Sequence, residues 1–278
     1  MPGDPDPLYV AARRVLLDAL DAIEPHLNAL VLVGAQAIYV HAGEADLAIA
    51  PYTTDGDLAL DPARLEPKPL LDVSLERAGF RLLEGAVGMW QEMVDVEGVM
   101  RMVGLDLLVP ESLGGPGRRA ARIPPHARQT ARKVAGLEGA LVDRDLRRIG
   151  ALDPGDRRQF NLFVAGPAAL LVAKVYKIMD REEDAGRKSD KDALDLYRLL
   201  RAVPTQDLAQ RFRMLLGDPL SRPAAETTHV QLPELFGRAN APGTQMAVRA
   251  AYPLESAETL AASLVALTQD LLRALPLG

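Results

Sequence analysis

The N-terminal part of the chain, up to about residue 110, alternates between apolar positions at helical spacing and short apolar runs typical of strands. Residues 8–24 carry apolar side chains at helical intervals up to Pro25, and a wholly apolar run follows at residues 30–33. Glycine, proline and aspartate then divide the sequence into further short elements. These predicted elements are helices at 34–43 and 69–78 and strands at 57–60, 80–83, 91–96 and 101–109. The alternation predicts an α/β arrangement.

The second half of the chain has a different pattern. A loop rich in glycine and proline at residues 114–125 is followed by longer segments with helical apolar spacing. The clearest of these predict helices at 167–180, 189–203 and 257–275. We therefore predict an α/β (α+β) fold, with a small mixed sheet flanked by helices and a helical C-terminal half. The predicted division is an α/β domain at 1–125 and a mainly helical domain at 126–278 that completes the active site.

Composition excludes several classes of protein. The 278 residues are 48% hydrophobic and 25% charged, which is typical of globular proteins. A net charge of −6 argues against a uniformly basic nucleic-acid binder. No apolar run reaches the roughly 18–20 residues of a membrane span, and the first residues lack a signal-peptide pattern. Because the sequence has no cysteine, it can form neither disulfides nor thiolate sites, and we expect a cytoplasmic protein.

Two aspartates open the second predicted strand. Asp55 and Asp57 are two residues apart, so on a strand both carboxylates point to the same face. Two like charges held that close favour a divalent cation between them. Upstream, an apolar run leads into Gly34 and Ala35, where the free N–H groups at the start of a helix can hold a phosphate. A solvated turn is the alternative, because Thr-Asp-Gly is also turn chemistry.

A third carboxylate, Asp106, lies inside the apolar strand predicted at 101–109. Burying a single carboxylate is costly unless the group is paired or bound to a metal. On a strand beside Asp55 and Asp57, it would complete a three-carboxylate site for Mg²⁺, which prefers oxygen ligands and substrate phosphates. A strand edge facing water is the alternative for Asp106.

Two of the C-terminal helices carry charges in a regular pattern. Lys174 interrupts an apolar run, and a buried lysine needs a partner. Asp192 and Asp195 share a face of the next helix, with Lys188 and Lys191 one turn earlier. Lys174 could reach a triphosphate as a point charge while the acids orient it. An exposed helix with many salt bridges is the alternative for Lys188 and Lys191.

Residues 118–148 form a basic stretch, with nine lysines and arginines against three acids. Such a local cationic stripe can bind the phosphates of a nucleic acid, although a solvated arginine-rich loop and helix explains it equally well. The four histidines are scattered without zinc-ligand spacing. Trp90 and Tyr52 are candidates for a base pocket, but core packing is the better explanation for Trp90.

Taken together, these motifs resemble the polymerase-β-like nucleotidyltransferase superfamily, and within it the AbiEii-type toxin nucleotidyltransferases of bacterial toxin–antitoxin systems. The resemblance rests on the strand and helix that meet at Gly34 and on the Thr-Thr-Asp-Gly-Asp-Leu segment at 53–58. It also includes the helix lysine Lys174 and the later basic-Asp-x-x-Asp-Leu helix that contains Asp192 and Asp195. The matching motifs span roughly residues 30–200.

The resemblance implies an enzyme dependent on Mg²⁺ (or Mn²⁺), built on a nucleotidyltransferase-like sheet. It implies that Asp55, Asp57 and Asp106 are the catalytic metal ligands and that Lys174 neutralises charge on the phosphates. The implied nucleotide-binding residues are Gly34, Ala35, Gln36, Lys177, Lys191, Asp192 and Asp195. The implied substrates are an NTP and a hydroxyl of an RNA, such as tRNA, or of a protein. RNA would bind through the basic stretch, a separate antitoxin would control activity, and no membrane would be involved.

Two other functions stay open from the sequence alone. One is a nucleotide-binding protein on the same fold that has lost catalysis, since Ala35 offers a phosphate an N–H group but no hydroxyl. The other is a carboxylate-metal phosphohydrolase, which would release inorganic phosphate or a nucleoside monophosphate rather than transfer it.

Overall fold

The computed structural model describes residues 5–43, 53–180 and 187–275. Its strands form one mixed eight-stranded sheet, which is flanked by helices and followed by a helical C-terminal half, so the predicted fold class is confirmed. The strands are β1 (Leu30–Val33), β2 (Asp55–Leu60), β3 (Arg81–Leu82), β4 (Met89–Val96), β5 (Val99–Pro110), β6 (Arg132–Val134), β7 (Arg144–Gly150) and β8 (Gln159–Ala165). The helices are α1 (Pro7–Ala22), α2 (Gly34–Ala42), α3 (Leu71–Arg77), α4 (Gly139–Val142), α5 (Pro167–Met179), α6 (Arg187–Ala202), α7 (Thr205–Gly217), α8 (Arg222–Phe236), α9 (Pro242–Ala251) and α10 (Ala257–Ala274).

The strands lie in the order β3-β4-β5-β2-β1-β8-β7, and β6 pairs with β5 outside this path. Strand β2 is central: it pairs antiparallel with β1 and parallel with β5. Every residue of β1 is buried, because helices cover both faces of a strand in this position. The ends of β1 and β2 therefore lie at the centre of the sheet.

The sheet continues past the predicted division at residue 125. Strands β6, β7 and β8 all come later in the chain, and β8 pairs parallel with β1 in the interior of the sheet. The segment 126–278 thus supplies both part of the sheet and the helices that follow it. The helical pattern dominates that segment's sequence, which is why its strands were not predicted.

Several predicted boundaries move by a few residues. The strand predicted at 57–60 begins at Asp55, so both aspartates of the pair belong to β2. The helix predicted at 69–78 is shorter, because α3 begins only after Pro69 and Leu70. The turn predicted at Glu97-Gly98 is confirmed as the tip of the β4–β5 hairpin, where both residues have positive φ. Tyr52 lies outside the described residues.

The helical half begins directly after β8, and its first helix, α5, packs against α2 and α4. Helix α6 buries the four leucines that its spacing predicted, Leu194, Leu196, Leu199 and Leu200. It contacts α5 on one side, α9 on another, and α2 at the edge of the sheet. As a result, the charged face of α6 meets α5 close to the turn between β1 and α2.

Candidate active site

The three aspartates singled out by the sequence lie on one face of the sheet. In the parallel β2–β5 pair, Asp57 is directly opposite Asp106, and Asp55 is opposite Gly104. Residues paired in register on neighbouring strands point to the same face, and so do residues two apart on one strand. We call Asp55, Asp57 and Asp106 the carboxylate site.

The electrostatics of Asp57 reflect this crowding. Burial and the adjacent charges of Asp55 and Asp106 raise the pKa of Asp57 to about 7, against a smaller lowering by Lys177 and Lys174. The neutral form of Asp57 is therefore favoured beside its acidic neighbours, and a bound cation would favour the charged form.

Hydrogen bonds fix the start of β2. The buried Thr53 hydroxyl donates to Asp55 Oδ1 at 2.5 Å. The Gln36 amide nitrogen donates to the Asp55 carbonyl at 2.9 Å and to the Ala12 carbonyl at 3.2 Å, and its amide oxygen accepts from Arg13 Nε at 2.8 Å. Gln36 is fully buried. Its side chain therefore anchors the backbone at Asp55, and the nucleotide contact implied by the resemblance stays a prediction.

The turn between β1 and α2 lies against Asp57. Gly34 opens α2 with a φ of +69°, a conformation that favours glycine. A Cβ atom at Gly34 would lie 2.7 Å from Asp57 Cγ, so a larger residue would displace the carboxylate. Ala35 is the next residue of the first turn of α2. The predicted phosphate-binding turn and the carboxylate site are therefore in contact.

A second group of charges joins α5 to α6. The Lys174 ammonium is buried and donates to Asp192 Oδ1 at 2.6 Å and Asp195 Oδ2 at 2.9 Å. Arg198 Nη1 donates to the other oxygen of Asp195 at 2.9 Å, and the Tyr39 hydroxyl donates to that oxygen at 3.4 Å. We call Lys174, Asp192, Asp195 and Arg198 the ion network. It confirms the expectation that the two acids orient Lys174.

The ion network changes what Lys174 can do. Burial alone would lower the pKa of Lys174, but the carboxylates of Asp195 and Asp192 outweigh it and raise that pKa well above its usual value. Two of its three donors are used by these acids, and only 4% of its side chain is exposed. Lys174 is thus a fixed positive charge behind the carboxylate site, held between two helices.

Two further lysines lie between the ion network and the carboxylate site. Lys177 is one turn beyond Lys174 on α5, with its Nζ 3.4 Å from Asp192 Oδ1 and 43% of its side chain exposed. Lys191 is partly buried, and burial lowers its pKa against the attraction of Asp195 and Asp55. Of these lysines, Lys177 is the most accessible to a ligand. The side chain of Lys188 lies outside the described part of the chain.

Arg132 is a site residue that the sequence did not reveal. It begins β6, and its Nη2 donates to Asp106 Oδ2 at 2.6 Å. The sequence placed it only within the basic stretch, since a three-residue strand is too short to show a period. Asp106 is therefore not a solvated strand-edge residue, because its carboxylate is paired with a guanidinium.

Asp143 is a second residue that the sequence missed. It is fully buried and accepts hydrogen bonds from the Ala168 and Ala169 N–H groups, at 3.0 and 3.1 Å, in the first turn of α5. Arg211 of α7 pairs with its other oxygen at 2.6 Å. This carboxylate caps α5 from a distant part of the chain. It therefore helps to fix the helix that carries Lys174 and Lys177.

The basic stretch is divided in the fold. Its loop and β6 lie beside β5, whereas β7 lies at the far end of the sheet, beyond β2, β1 and β8. Exposed arginines occur in both parts: Arg118, Arg119, Arg122 and Arg128 in the loop, and Arg147 and Arg148 on β7. The predicted single stripe is thus two separate cationic patches, of which the loop patch is the one near Asp106.

The histidines and the tryptophan have structural contacts. Each histidine shares a hydrogen bond with a backbone carbonyl, through the ring Nε2 of His26, His41, His126 and His229. Trp90 is buried and donates from Nε1 to the Thr130 carbonyl at 3.0 Å. The core role predicted for Trp90 is confirmed.

The residues that could hold a metal are the oxygen donors of the carboxylate site. Within residues 5–43, 53–180 and 187–275, no three histidine, aspartate or glutamate side chains are grouped closely enough to hold a metal ion as they stand. One of the three carboxylates, Asp106, is paired with the Arg132 guanidinium instead. Asp55 and Asp57 keep their shared face beside Gly34.

Two further findings bound the interpretation. Among the helices in the described ranges, none combines the length and the apolar character needed to cross a membrane. No protein-family model, curated protein or solved structure matches this chain.

Proposed function

We propose that this chain is a metal-dependent nucleotidyltransferase of the polymerase-β-like type, similar to AbiEii toxins. The observation that carries the proposal is the meeting of Asp55, Asp57 and Asp106 on one face of the β2–β5 pair, against the glycine turn at Gly34. Carboxylates for a cation, N–H groups for a phosphate and a fixed cationic helix face are the parts that phosphoryl transfer needs.

The carboxylate site fits Mg²⁺ or Mn²⁺ in its chemistry. Its donors are carboxylate oxygens, which hard divalent cations prefer. The raised pKa of Asp57, caused by burial and by its acidic neighbours, supports a site that is short of positive charge. Asp55 and Asp57 would hold the ion, joined by Asp106 once it leaves Arg132. When bound, the ion would neutralise phosphate charge and orient the triphosphate.

The residues around this site have separable tasks in the proposed reaction. The N–H groups of Gly34 and Ala35 would hold phosphate oxygens at the start of α2. Lys177 would contact the triphosphate directly because it is exposed, while Lys174, Asp192 and Asp195 hold α5 and α6 in place. Lys191 would add positive charge near Asp55.

The transfer step follows from these positions. An acceptor hydroxyl oxygen attacks the α-phosphorus and forms the new P–O bond, while the α–β phosphoanhydride bond breaks and pyrophosphate leaves. Asp106 accepts the proton of the hydroxyl. Positioning and charge stabilisation would supply most of the rate enhancement, as in other phosphoryl transfers.

The acceptor and the setting rest on the resemblance. An RNA such as tRNA, or a protein hydroxyl, is the proposed acceptor, and a cognate antitoxin in the cytoplasm is the proposed regulator. The loop patch, with Arg118, Arg119, Arg122 and Arg128, is the cationic surface near Asp106 and would contact RNA phosphates. The β7 patch lies beyond β2, β1 and β8 in the sheet order, so we assign the contact beside Asp106 to the loop patch alone.

The test uses pure protein, each α-³²P-labelled NTP, Mg²⁺ and total cellular RNA. We expect label to pass from one NTP to RNA or protein, and Asp55→Ala to abolish transfer while leaving the fold intact. Asp21→Ala, an exposed aspartate on α1, is the matched control. Wild-type activity in Asp55→Ala would overturn the assignment. Release of phosphate or nucleoside monophosphate would identify a phosphohydrolase, and binding without transfer a nucleotide-binding protein.

A further inference from the structure

Arg132 approaches the carboxylate site from β6. In the parallel β5–β6 pair it lies opposite Leu108, two residues beyond Asp106, so its side chain is on the face that carries Asp106. Its Nη2 donates to Asp106 Oδ2 at 2.6 Å, and 34% of its side chain remains exposed. The guanidinium is therefore both bound to the site and open to a ligand.

The hydrogen bonding of Arg132 is incomplete. Its Nε is buried and has no hydrogen-bond partner among the described residues. A guanidinium offers five N–H donors in a fixed fork, and the described contacts use Nη2 alone on a carboxylate. An anionic oxygen placed beside Arg132 would find donors that Asp106 does not use.

Arg132 and a divalent cation compete for Asp106. Both are positively charged, and a cation held by Asp55 and Asp57 would lie near the guanidinium, since Asp57 is opposite Asp106 on the adjacent strand. Binding of the cation alone would thus be opposed by Arg132. A triphosphate removes the conflict, because it adds negative charge between the two cations.

We propose that Arg132 couples metal binding to nucleotide binding. Without ligand it neutralises Asp106 and weakens the site for a bare divalent cation. With a nucleoside triphosphate and its metal bound, Asp106 would be available to the metal and Arg132 would donate to a phosphate instead. This inference rests on the proposed function, and it makes Arg132 the residue that stops the site from filling with metal alone.

The competing explanation is that the Arg132–Asp106 pair only ties β6 to the sheet. Strand β6 has three residues and pairs with β5 at Leu108, Val109 and Pro110, so such a tie would be useful. A purely structural pair would change stability when removed, but it would leave the relation between metal and phosphate affinity unchanged. The two explanations therefore differ in a binding measurement.

The experiment compares wild type, Arg132→Met and Arg132→Lys of the full chain. Mn²⁺ alone is titrated and followed by electron paramagnetic resonance, and inorganic tripolyphosphate is titrated by calorimetry with and without saturating Mg²⁺. In Arg132→Met we expect Mn²⁺ to bind about three- to tenfold more tightly, because a nearby positive charge is gone. Tripolyphosphate should bind at least about tenfold more weakly. Arg132→Lys should keep the wild-type Mn²⁺ affinity and show an intermediate loss of tripolyphosphate affinity.

The controls separate this inference from the proposed function. Arg77→Met removes an exposed arginine of α3, outside the carboxylate site and the loop patch, and should alter neither affinity by more than about twofold. Asp57→Asn should weaken Mn²⁺ binding. If it does, and Arg132→Met binds Mn²⁺ no more tightly than wild type, the role of Arg132 is overturned and the metal site stands. If wild type binds neither Mn²⁺ nor tripolyphosphate, the proposed function fails as well. Near-UV circular dichroism checks that each variant is folded, and Arg132→Lys tests the phosphate contact if Arg132→Met does not fold.

Discussion

The carboxylate site and the ion network are neighbours, and both gather charged groups. The ion network is buried, whereas the three aspartates of the carboxylate site are half-buried. They differ in balance. In the ion network each buried carboxylate meets a cation at hydrogen-bond distance, and Lys174 meets two. In the carboxylate site three acids share one face, Arg132 contacts Asp106, and the charges of Lys177 and Lys174 act on Asp57.

The pKa values express the same difference. The acids of the ion network raise the pKa of Lys174, so its charge is secured. Burial and neighbouring acids raise the pKa of Asp57 to about 7, so its charge is opposed. We therefore expect the ion network to act mainly in stability and propose that the carboxylate site, in contact with a glycine turn, binds a ligand. Four substitutions test this difference, and their expected effects on the free energy of unfolding decrease from Lys174 to Asp57, Gly34 and Lys177.

Removing Lys174 should damage the fold most. Lys174→Met leaves the buried carboxylates of Asp192 and Asp195 short of a partner, which we expect to lower the free energy of unfolding by about 3–5 kcal/mol. Urea denaturation measures it. The control is Arg249→Met, which breaks an exposed ion pair with Asp190 of α6, the helix that also carries Asp192 and Asp195. This change should lower the free energy of unfolding by less than about 1 kcal/mol. Equal losses of stability in Lys174→Met and Arg249→Met would mean that Lys174 is not structural, and would favour the catalytic role predicted for it.

Neutralising Asp57 should raise the free energy of unfolding, whereas removing Lys174 should lower it. Between pH 4 and 7 the folded state binds a proton at Asp57 that the unfolded state has released, so wild-type stability falls as the pH rises through that range. Asp57→Asn removes this loss. At pH 8 without metal the variant should be more stable than wild type by up to about 4 kcal/mol, at roughly 1.4 kcal/mol per pKa unit.

The gain from Asp57→Asn should vanish below about pH 4, where the aspartate is protonated in both states. The charges around it that set the effect are Asp55, Asp106, Lys177 and Lys174. Millimolar Mg²⁺ should raise the stability of wild type but not of the variant. Asp21→Asn, an exposed carboxyl on α1, should show neither response. A stability difference that is independent of pH would contradict the electrostatic origin.

The sequence predicted the carboxylate site better than it predicted the residues around it. Strand β1 is a wholly apolar run and the β4–β5 hairpin tip is a Glu-Gly turn, and both patterns are distinctive although they are short. Both elements were predicted at the right positions. Asp55, Asp57 and Asp106 stood out because each is a charge placed in or beside an apolar strand. Their convergence follows from strand geometry alone once β2 and β5 pair.

The partners of these residues were beyond sequence reasoning because they depend on long-range pairing. Arg132 lies in a three-residue strand, and Asp143 caps α5 from 25 residues away. Strands β7 and β8 were missed since β7 is largely charged and its buried positions are few. The side-chain partners of Gln36 were also beyond sequence reasoning: they are Arg13 and two backbone carbonyls from distant parts of the chain.

The third test examines the contact between the glycine turn and Asp57. Gly34 and Gly43 begin and follow α2, both with positive φ, but only at Gly34 would a Cβ meet Asp57. Each alanine substitution should cost about 1–2 kcal/mol for its backbone conformation, and Gly34→Ala should cost about 1–3 kcal/mol more. In an Asp57→Ala background most of this excess should disappear. Urea denaturation of Gly34→Ala, Gly43→Ala, Asp57→Ala and the Gly34→Ala/Asp57→Ala double variant gives the coupling energy between Gly34 and Asp57. An equal loss of stability in Gly34→Ala and Gly43→Ala would show that Gly34 is not closely packed against Asp57.

The smallest change in stability is expected at Lys177, which joins the two regions. It touches Asp192 of the ion network, its charge acts on Asp57, and 43% of its side chain is exposed. Lys177→Met should therefore change the free energy of unfolding by less than about 1 kcal/mol. Tripolyphosphate affinity in Mg²⁺ should still fall about tenfold, because a charge-assisted contact is lost. Lys68→Met, at an exposed loop lysine, controls for net charge. If Lys177→Met binds tripolyphosphate as tightly as wild type, the phosphate contacts belong to Gly34, Ala35 and Arg132 and not to Lys177. If Lys177→Met instead loses much of its stability, Lys177 belongs to the ion network, because removing an exposed lysine outside that network should leave the fold intact.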